Sequence, residues 1–204
     1  MNPVPPGGAG DVERTRAVLE QCARLGFALA GVCEAAPSRH ERELREWLGQ
    51  GGHGSMAWMA DHVEERLDPR RVLAGARSIV VVADQYSARR ERPAAASSGA
   101  TPSGEPVGKI ARYARGRDYH LEIKRRLHAL CDALRADHPA HAFRAFADAA
   151  PVLEREHAAR AGLGWIGKHT LLIHPRVGSY VLLGGVLTTL HLPAPPEQGA
   201  ISDH

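Results

Sequence analysis

The chain has 204 residues, 44% of them hydrophobic and 24% charged, with 26 Lys and Arg against 23 Asp and Glu for a net charge of +3. That length suits one domain with a sizeable core, and the composition excludes collagen-like and wholly disordered chains. Gly184 and Gly185 interrupt the longest apolar stretch, residues 180–190, so no run of about 18 apolar residues can span a membrane.

The start, MNPVPPGGAG, has neither a basic nor an apolar signal region and reads as a disordered tail over residues 1–10 of a cytoplasmic protein. Residues 11–25 follow as a helix with Val18, Cys22 and Leu25 on one face, ended by Gly26. Residues 27–33 read as a buried strand. Ser38 and Glu41 form a capping-box signature ahead of Leu44, Trp47 and Leu48, which predicts a second helix. Gly51, Gly52 and Gly54 then lead to a short helical stretch with Met56, Trp58 and Met59. The β-branched run SIVVVA, residues 78–83, is the clearest strand.

Residues 87–108, rich in Ala, Ser, Pro and Gly, predict a mobile surface loop. Residues 118–137 predict an amphipathic helix with Ile123, Leu127, Leu130, Cys131 and Leu134 on one stripe. A strand over 142–147, a helix over 152–161 and strands over 170–174 and 179–190 complete the pattern. Residues 193–204 read as a polar, linker-like tail, leaving one domain over 11–192. The fold class is α/β (α+β), a single sheet flanked by helices.

Three groups of residues invite chemistry. The first is Gly162–Leu–Gly–Trp–Ile–Gly–Lys–His169, which satisfies G-x-G-x-x-G and nearly matches a P-loop. A helix precedes it, strand-like sequence follows, no Asp or Glu occurs between Arg160 and Glu197, and His169 replaces the Ser or Thr that would hold Mg²⁺. It reads instead as a glycine turn that a broad ligand could approach, or as a helix cap with a packed Trp165. The second is Asp148 in FADAAP, read either as a cap of the next helix or as an acid with a raised pKa among Phe146, Ala147, Ala149 and Ala150. Sequence alone favours the cap. The third is RYARGRDYH, residues 112–120, whose Arg112, Arg115 and Arg117 alternate with Tyr113 and Tyr119 as phosphate and base contacts would, or as a solvated face would. The histidines show no ligand spacing, and Cys22, Cys33 and Cys131 form no paired metal motif.

Four segments together resemble the epoxyqueuosine reductase family: GGHGSMAWMADHVEERLDPRRVLAGARSIVVVA (51–83), GKIARYARGRDYH (108–120), FADAAPVLEREHAARAGLGWIGKHTLLI (146–173) and GSYVLLGGVLTT (178–189). DAAPVLE combined with GLGWIGKHTLL is the specific part. The resemblance implies a cobalamin-binding domain similar to flavin-reductase and nitroreductase-like sheets, acting on epoxyqueuosine in the anticodon loop of tRNA. It implies Asp148 as proton donor. It further implies that Arg66, Tyr113, Asp148, Gly164, Trp165, Gly167, Lys168, His169, Thr170 and Leu171 line the corrinoid, and that Arg112, Arg115, Arg117 and Tyr119 meet the nucleotide.

Family members carry [4Fe–4S] clusters on cysteine motifs of the C-x₂-C-x₂-C-x₃-C-P type, downstream of the segment that ends here. The three cysteines of this chain cannot hold one such cluster. The expectation is therefore a partial form that takes electrons from an iron–sulfur domain or a separate reductase. A non-catalytic corrinoid-binding or trafficking module and a flavin-dependent reductase are the alternatives.

Overall fold

The computed structural model describes residues 8–86, 110–148 and 150–198. Strand β2 (Ser78–Gln85) lies at the centre. Its Val80 and Val82 face one way and Ile79 and Val81 the other, and all four are buried, so both faces of the sheet must be covered. Strands β1 (Leu29–Glu34) and β6 (Val181–Thr188) flank it, and β3 (Phe143–Phe146) completes the order β1-β2-β6-β3. Every pairing is antiparallel, which makes the expected sheet-and-helix sandwich an α+β fold.

Helices α1 (Ala9–Arg24) and α5 (Tyr119–Asp137) cover one face. The Asp118 carboxylate accepts the His120 backbone N–H and caps α5, and the predicted stripe from Ile123 to Leu134 is buried against Val80, Val82 and Val186. The other face takes α4 (Pro69–Val72), α6 (Glu154–Arg160) and a ribbon of β4 (Trp165–Ile166) with β5 (Leu172–Ile173). Close packing explains the interruption of the longest apolar run: a Cβ at Gly185 would sit 2.3 Å from the Val80 carbonyl oxygen and 2.7 Å from the Phe146 ring.

Several details depart from the sequence reading. Helix α1 starts at Ala9, so the last two residues assigned to the N-terminal tail are helical. Helix α2 (Glu41–Gly49) forms, but none of its residues is buried; Leu44, Trp47 and Leu48 only partly cover the fold. Its capping box is not made. Ser38 Oγ accepts the His40 N–H and donates at 2.5 Å to Glu156, whereas Glu41 pairs with Arg45. The tail is also not free over its described part. The Gln198 amide accepts from Val32 N–H at 3.0 Å and donates to Val32 C=O at 2.6 Å, and Glu197 pairs with Arg16. Pairing through Gln198 covers part of the outer edge of β1. Residues 1–7, the predicted loop over 87–108 and residues 199–204 lie outside the described residues.

Candidate functional site

Asp148 follows β3, with a left-handed backbone (φ 58°) that an aspartate adopts at some cost. Helix α6 begins six residues later on Leu153 as its N-cap, so Asp148 is not the cap that the sequence favoured. Nor is it enclosed by apolar groups, since 62% of its side chain is exposed. Its Oδ2 instead lies 2.7 Å from His120 Nε2 and accepts from the Tyr119 hydroxyl at 3.4 Å. The other ring nitrogen of His120, Nδ1, lies 2.8 Å from Asp118. Hydrogen bonds to Asp148 and then to Asp118 raise the His120 pKa above its ordinary value, so the ring readily holds a second proton between the carboxylates.

Two adjoining cavities of about 340 and 430 Å³ share a wall made by Asp148, Glu154 and Arg155. The first opens among Tyr86, Tyr113, Tyr119, Leu171 and the β6 residues Val181, Leu182 and Leu183. All four tyrosines of the chain gather here, with Tyr86 meeting Tyr113 and Tyr180 edge-on, and Tyr113 meeting Tyr119 edge-on. The second lies under Trp58, Met59 and Arg66, against Ile166 and Thr170. Trp58, Tyr113, Ile166, Leu171 and Tyr180 are exposed around this site, a concentration of apolar surface expected where a ligand or partner docks.

Backbone strain concentrates here too. Thr170 is left-handed at φ 67°, and its carbonyl accepts from Arg155 Nη1 at 2.5 Å, which ties the ribbon turn to α6. Glu154, at the head of α6, is half-buried, with its Oε1 turned inside. Desolvation, with the Asp148 charge added, pushes its carboxyl up to about 7, and Oε1 has no hydrogen-bond partner among the described residues.

The structure brings together Arg66, Tyr113, Tyr119, Asp148, Thr170 and Leu171 of the expected site. Arg66 is largely engaged locally: its guanidinium donates to the Met59 and Asp61 carbonyls and lies 5.9 Å from the Trp58 ring centre. Gly164, Trp165, Gly167, Lys168 and His169 line neither cavity. Gly164, at φ 148°, lets the Ile173 carbonyl pass where a Cβ would lie 2.2 Å away, so its need for glycine comes from the ribbon. Trp165 is half-buried opposite Ile173, and Lys168 and His169 stand exposed in the turn. Arg112 lies over the Tyr180 ring at 5.5 Å, Arg115 donates to the Ile110 carbonyl, and Arg117 reaches Glu122 at 3.7 Å. None of these three arginines lines either cavity.

Sequence reasoning missed Asp118, His120, Glu154 and Arg155. The Asp-x-His spacing at a helix start was a usable signal for the first pair, because it places an N-cap carboxylate beside the ring two residues on. Nothing local marks the Glu154 carboxyl as partly withdrawn from water.

The family model described as epoxyqueuosine reductase QueG, DUF1730, matches residues 66–149. The epoxyqueuosine reductase of Pseudomonas aeruginosa is 39% identical over 172 residues, which cover 84% of this chain and 46% of that protein. The chain thus spans about half the length of the curated relatives it matches. An epoxyqueuosine reductase solved with an epoxyqueuosine-modified tRNA-Tyr stem loop superposes with a TM-score of 0.80 at 24% identity, over 95% of this chain and 49% of that one. A reductive dehalogenase, whose structure was read as a mechanism for B12-dependent dehalogenation, superposes at 0.57 with 17% identity, over all of this chain and 22% of its own. At these identities the two structural matches establish the fold. Among the described residues no helix is long and apolar enough to cross a membrane.

Proposed function

The chain belongs to the epoxyqueuosine reductase family, about half of whose length it spans, and on that premise we propose that it carries the site where epoxyqueuosine in tRNA is reduced to queuosine. The observation that carries this reading is Asp148, held by His120 on the wall shared by two cavities. Cofactor and substrate nucleotide share the two adjoining cavities, with the reacting oxygen beside Asp148 on their common wall.

The residues fit a cobalamin. The adjoining apolar cavities and exposed aromatic rims suit a ligand broader than either cavity, and Arg66, Tyr113, Thr170 and Leu171 stand where they would hold it. Bound there in reduced form, cobalamin supplies the electrons for opening the epoxide. The chain's own part is acid chemistry. Asp148 delivers to the oxygen, as alkoxide charge develops, the one proton that it shares with His120, whose ring is held from behind by Asp118. Arg112 over Tyr180, with Arg115 and Arg117 on the same segment, would meet the phosphates of an anticodon loop, and unpaired bases can stack on the tyrosines. The electrons would come from a low-potential iron–sulfur donor in another domain or protein, and the reaction belongs to the cytoplasm.

The test is a visible-spectrum titration with Co(II) cobalamin, followed by single turnover on epoxyqueuosine-containing tRNA with a chemical reductant. Asp148→Asn is expected to keep the saturable spectral shift and lose conversion by at least 100-fold, within the usual range for general-acid removal. Full single-turnover activity in that variant would overturn the proton-donor role. A chain that binds flavin and not cobalamin would overturn the cofactor.

A further inference from the structure

Removing an epoxide oxygen as water takes two electrons and two protons: both C–O bonds break, a C=C bond forms, and the oxygen leaves carrying both protons. Asp148 with His120 accounts for one proton held at the site. We propose that Glu154 is the store of the second proton, a neutral carboxylic acid in the wall between the cavities that acts by returning a proton to Asp148. The inference rests on the reductase reading above.

The geometry favours this role. Glu154 lines both cavities, as Asp148 does, and lies at the head of α6 on the same connection from β3. Its Oε1 is buried without a hydrogen-bond partner among the described residues, an arrangement that is costly for a carboxylate and tolerable for the neutral acid. The charged and titratable groups facing it are Asp148 on the same connection, Arg155 on α6 and Arg66 on α3 (Val63–Leu67). Tyr86, Tyr113 and Tyr119 stand across the first cavity, with His40 and Glu156 across the second. Burial outweighs the hydrogen bond from the Glu154 backbone N–H and the two arginines, and the neighbouring Asp148 charge adds to burial, so a charge on Asp148 strengthens the hold of Glu154 on its proton. A proton passed from Glu154 to a discharged Asp148 exchanges one charge for the other, and solvent then refills Glu154.

The experiment is carbon-13 NMR of the whole chain labelled at glutamate side-chain carboxyls, with Glu154→Asp and Glu154→Gln assigning the resonance. The expected result is a glutamate midpoint near 7 that falls in Asp148→Asn, because a neighbouring charge is gone. In the cobalamin-loaded chain, turnover is expected to decline as pH rises through the same midpoint. Glu154→Gln is expected to turn over at least tenfold more slowly and to lose that limb, while Glu154→Asp restores part of both. A midpoint in the ordinary carboxylate range, or one unmoved by Asp148→Asn, overturns the proposal without regard to turnover. A chain that neither binds cobalamin nor converts the tRNA defeats the reductase reading and, with it, the proton's use, while the coupled titration is decided separately.

Discussion

The His120 imidazole and the Asp148 carboxylate, 28 residues apart in sequence, meet at 2.7 Å because the first turn of α5 and the end of β3 lie at the same end of the sheet. In the proposed role, the proton that His120 holds beside it is what an exposed aspartate would pass on as an acid. Burial of Asp148 itself, the route anticipated from its apolar neighbours in sequence, is not used.

The pair predicts a titration with a defined sign. The His120 pKa lies above its ordinary value, and Asp148 is the larger cause, so NMR of the His120 ring is expected to show a raised midpoint that Asp148→Asn lowers more than Asp118→Asn does. A raised histidine pKa stabilises the fold fully below the unfolded value near 6.5, and the gain fades as pH rises through the folded value. Thermal melts should therefore separate Asp148→Asn from the parent chain at pH 5.5 and bring them together at pH 8.5. The gap should shrink in 1 M salt, because the pair is largely solvated.

Gln198 imitates a neighbouring strand by giving Val32 both a donor and an acceptor. At about 0.5–1.5 kcal/mol per hydrogen bond, Gln198→Ala is expected to cost about 1–2 kcal/mol in urea unfolding. The uncovered β1 edge should also raise the tendency to aggregate, measured by light scattering. Unchanged stability would show that the edge contact contributes nothing in solution.

Gly185 permits the crossing of β6 with Phe146, and Gly185→Ala places a methyl group against a backbone oxygen that cannot rotate away. The expected loss is about 1–3 kcal/mol or more, read as a lower urea midpoint with little change in slope. Gly116→Ala, which meets nothing within 4 Å, is the matched control and should stay within about 0.5 kcal/mol of the parent.

The elements that periodicity specifies were legible in the sequence. The α5 stripe and the β2 run carry their burial in local spacing, and both are buried as the spacing predicts. Helix α2 has a similar pattern, yet no element packs over it closely enough to bury it, which no local signal records. The β4–β5 ribbon has two residues per strand, too short for a period. Asp148 stood out in sequence by its motif, but its environment depends on His120, brought beside it by the sheet's order. Glu154 looked like an ordinary first-turn acid of a helix. Its partial burial comes from the surfaces meeting it across two cavities, and those are tertiary facts.

Two desolvated groups one helical turn apart, the half-buried Glu154 and the buried His157, give the final prediction through opposite linkage. Glu154 is pushed up to about 7 from 4.5, so between those values the native state keeps a proton that the unfolded chain releases, and stability falls as pH rises. Burial, with Arg160 adding to it, lowers His157 to about 4 from 6.5; there the unfolded chain takes a proton that the native state refuses, and stability rises with pH. At about 1.4 kcal/mol per pH unit, each contributes on the order of 3 kcal/mol across its window, and they oppose one another wherever the windows overlap. Relative to the parent, Glu154→Gln is expected to gain stability as pH rises from 4.5 to 7, and His157→Asn to lose it between 4 and 6.5. Urea unfolding at half-unit pH steps measures both difference curves. Parallel curves for either variant would place that side chain in contact with water in the native state, and for Glu154 they would also remove the neutral acid from the wall between the cavities.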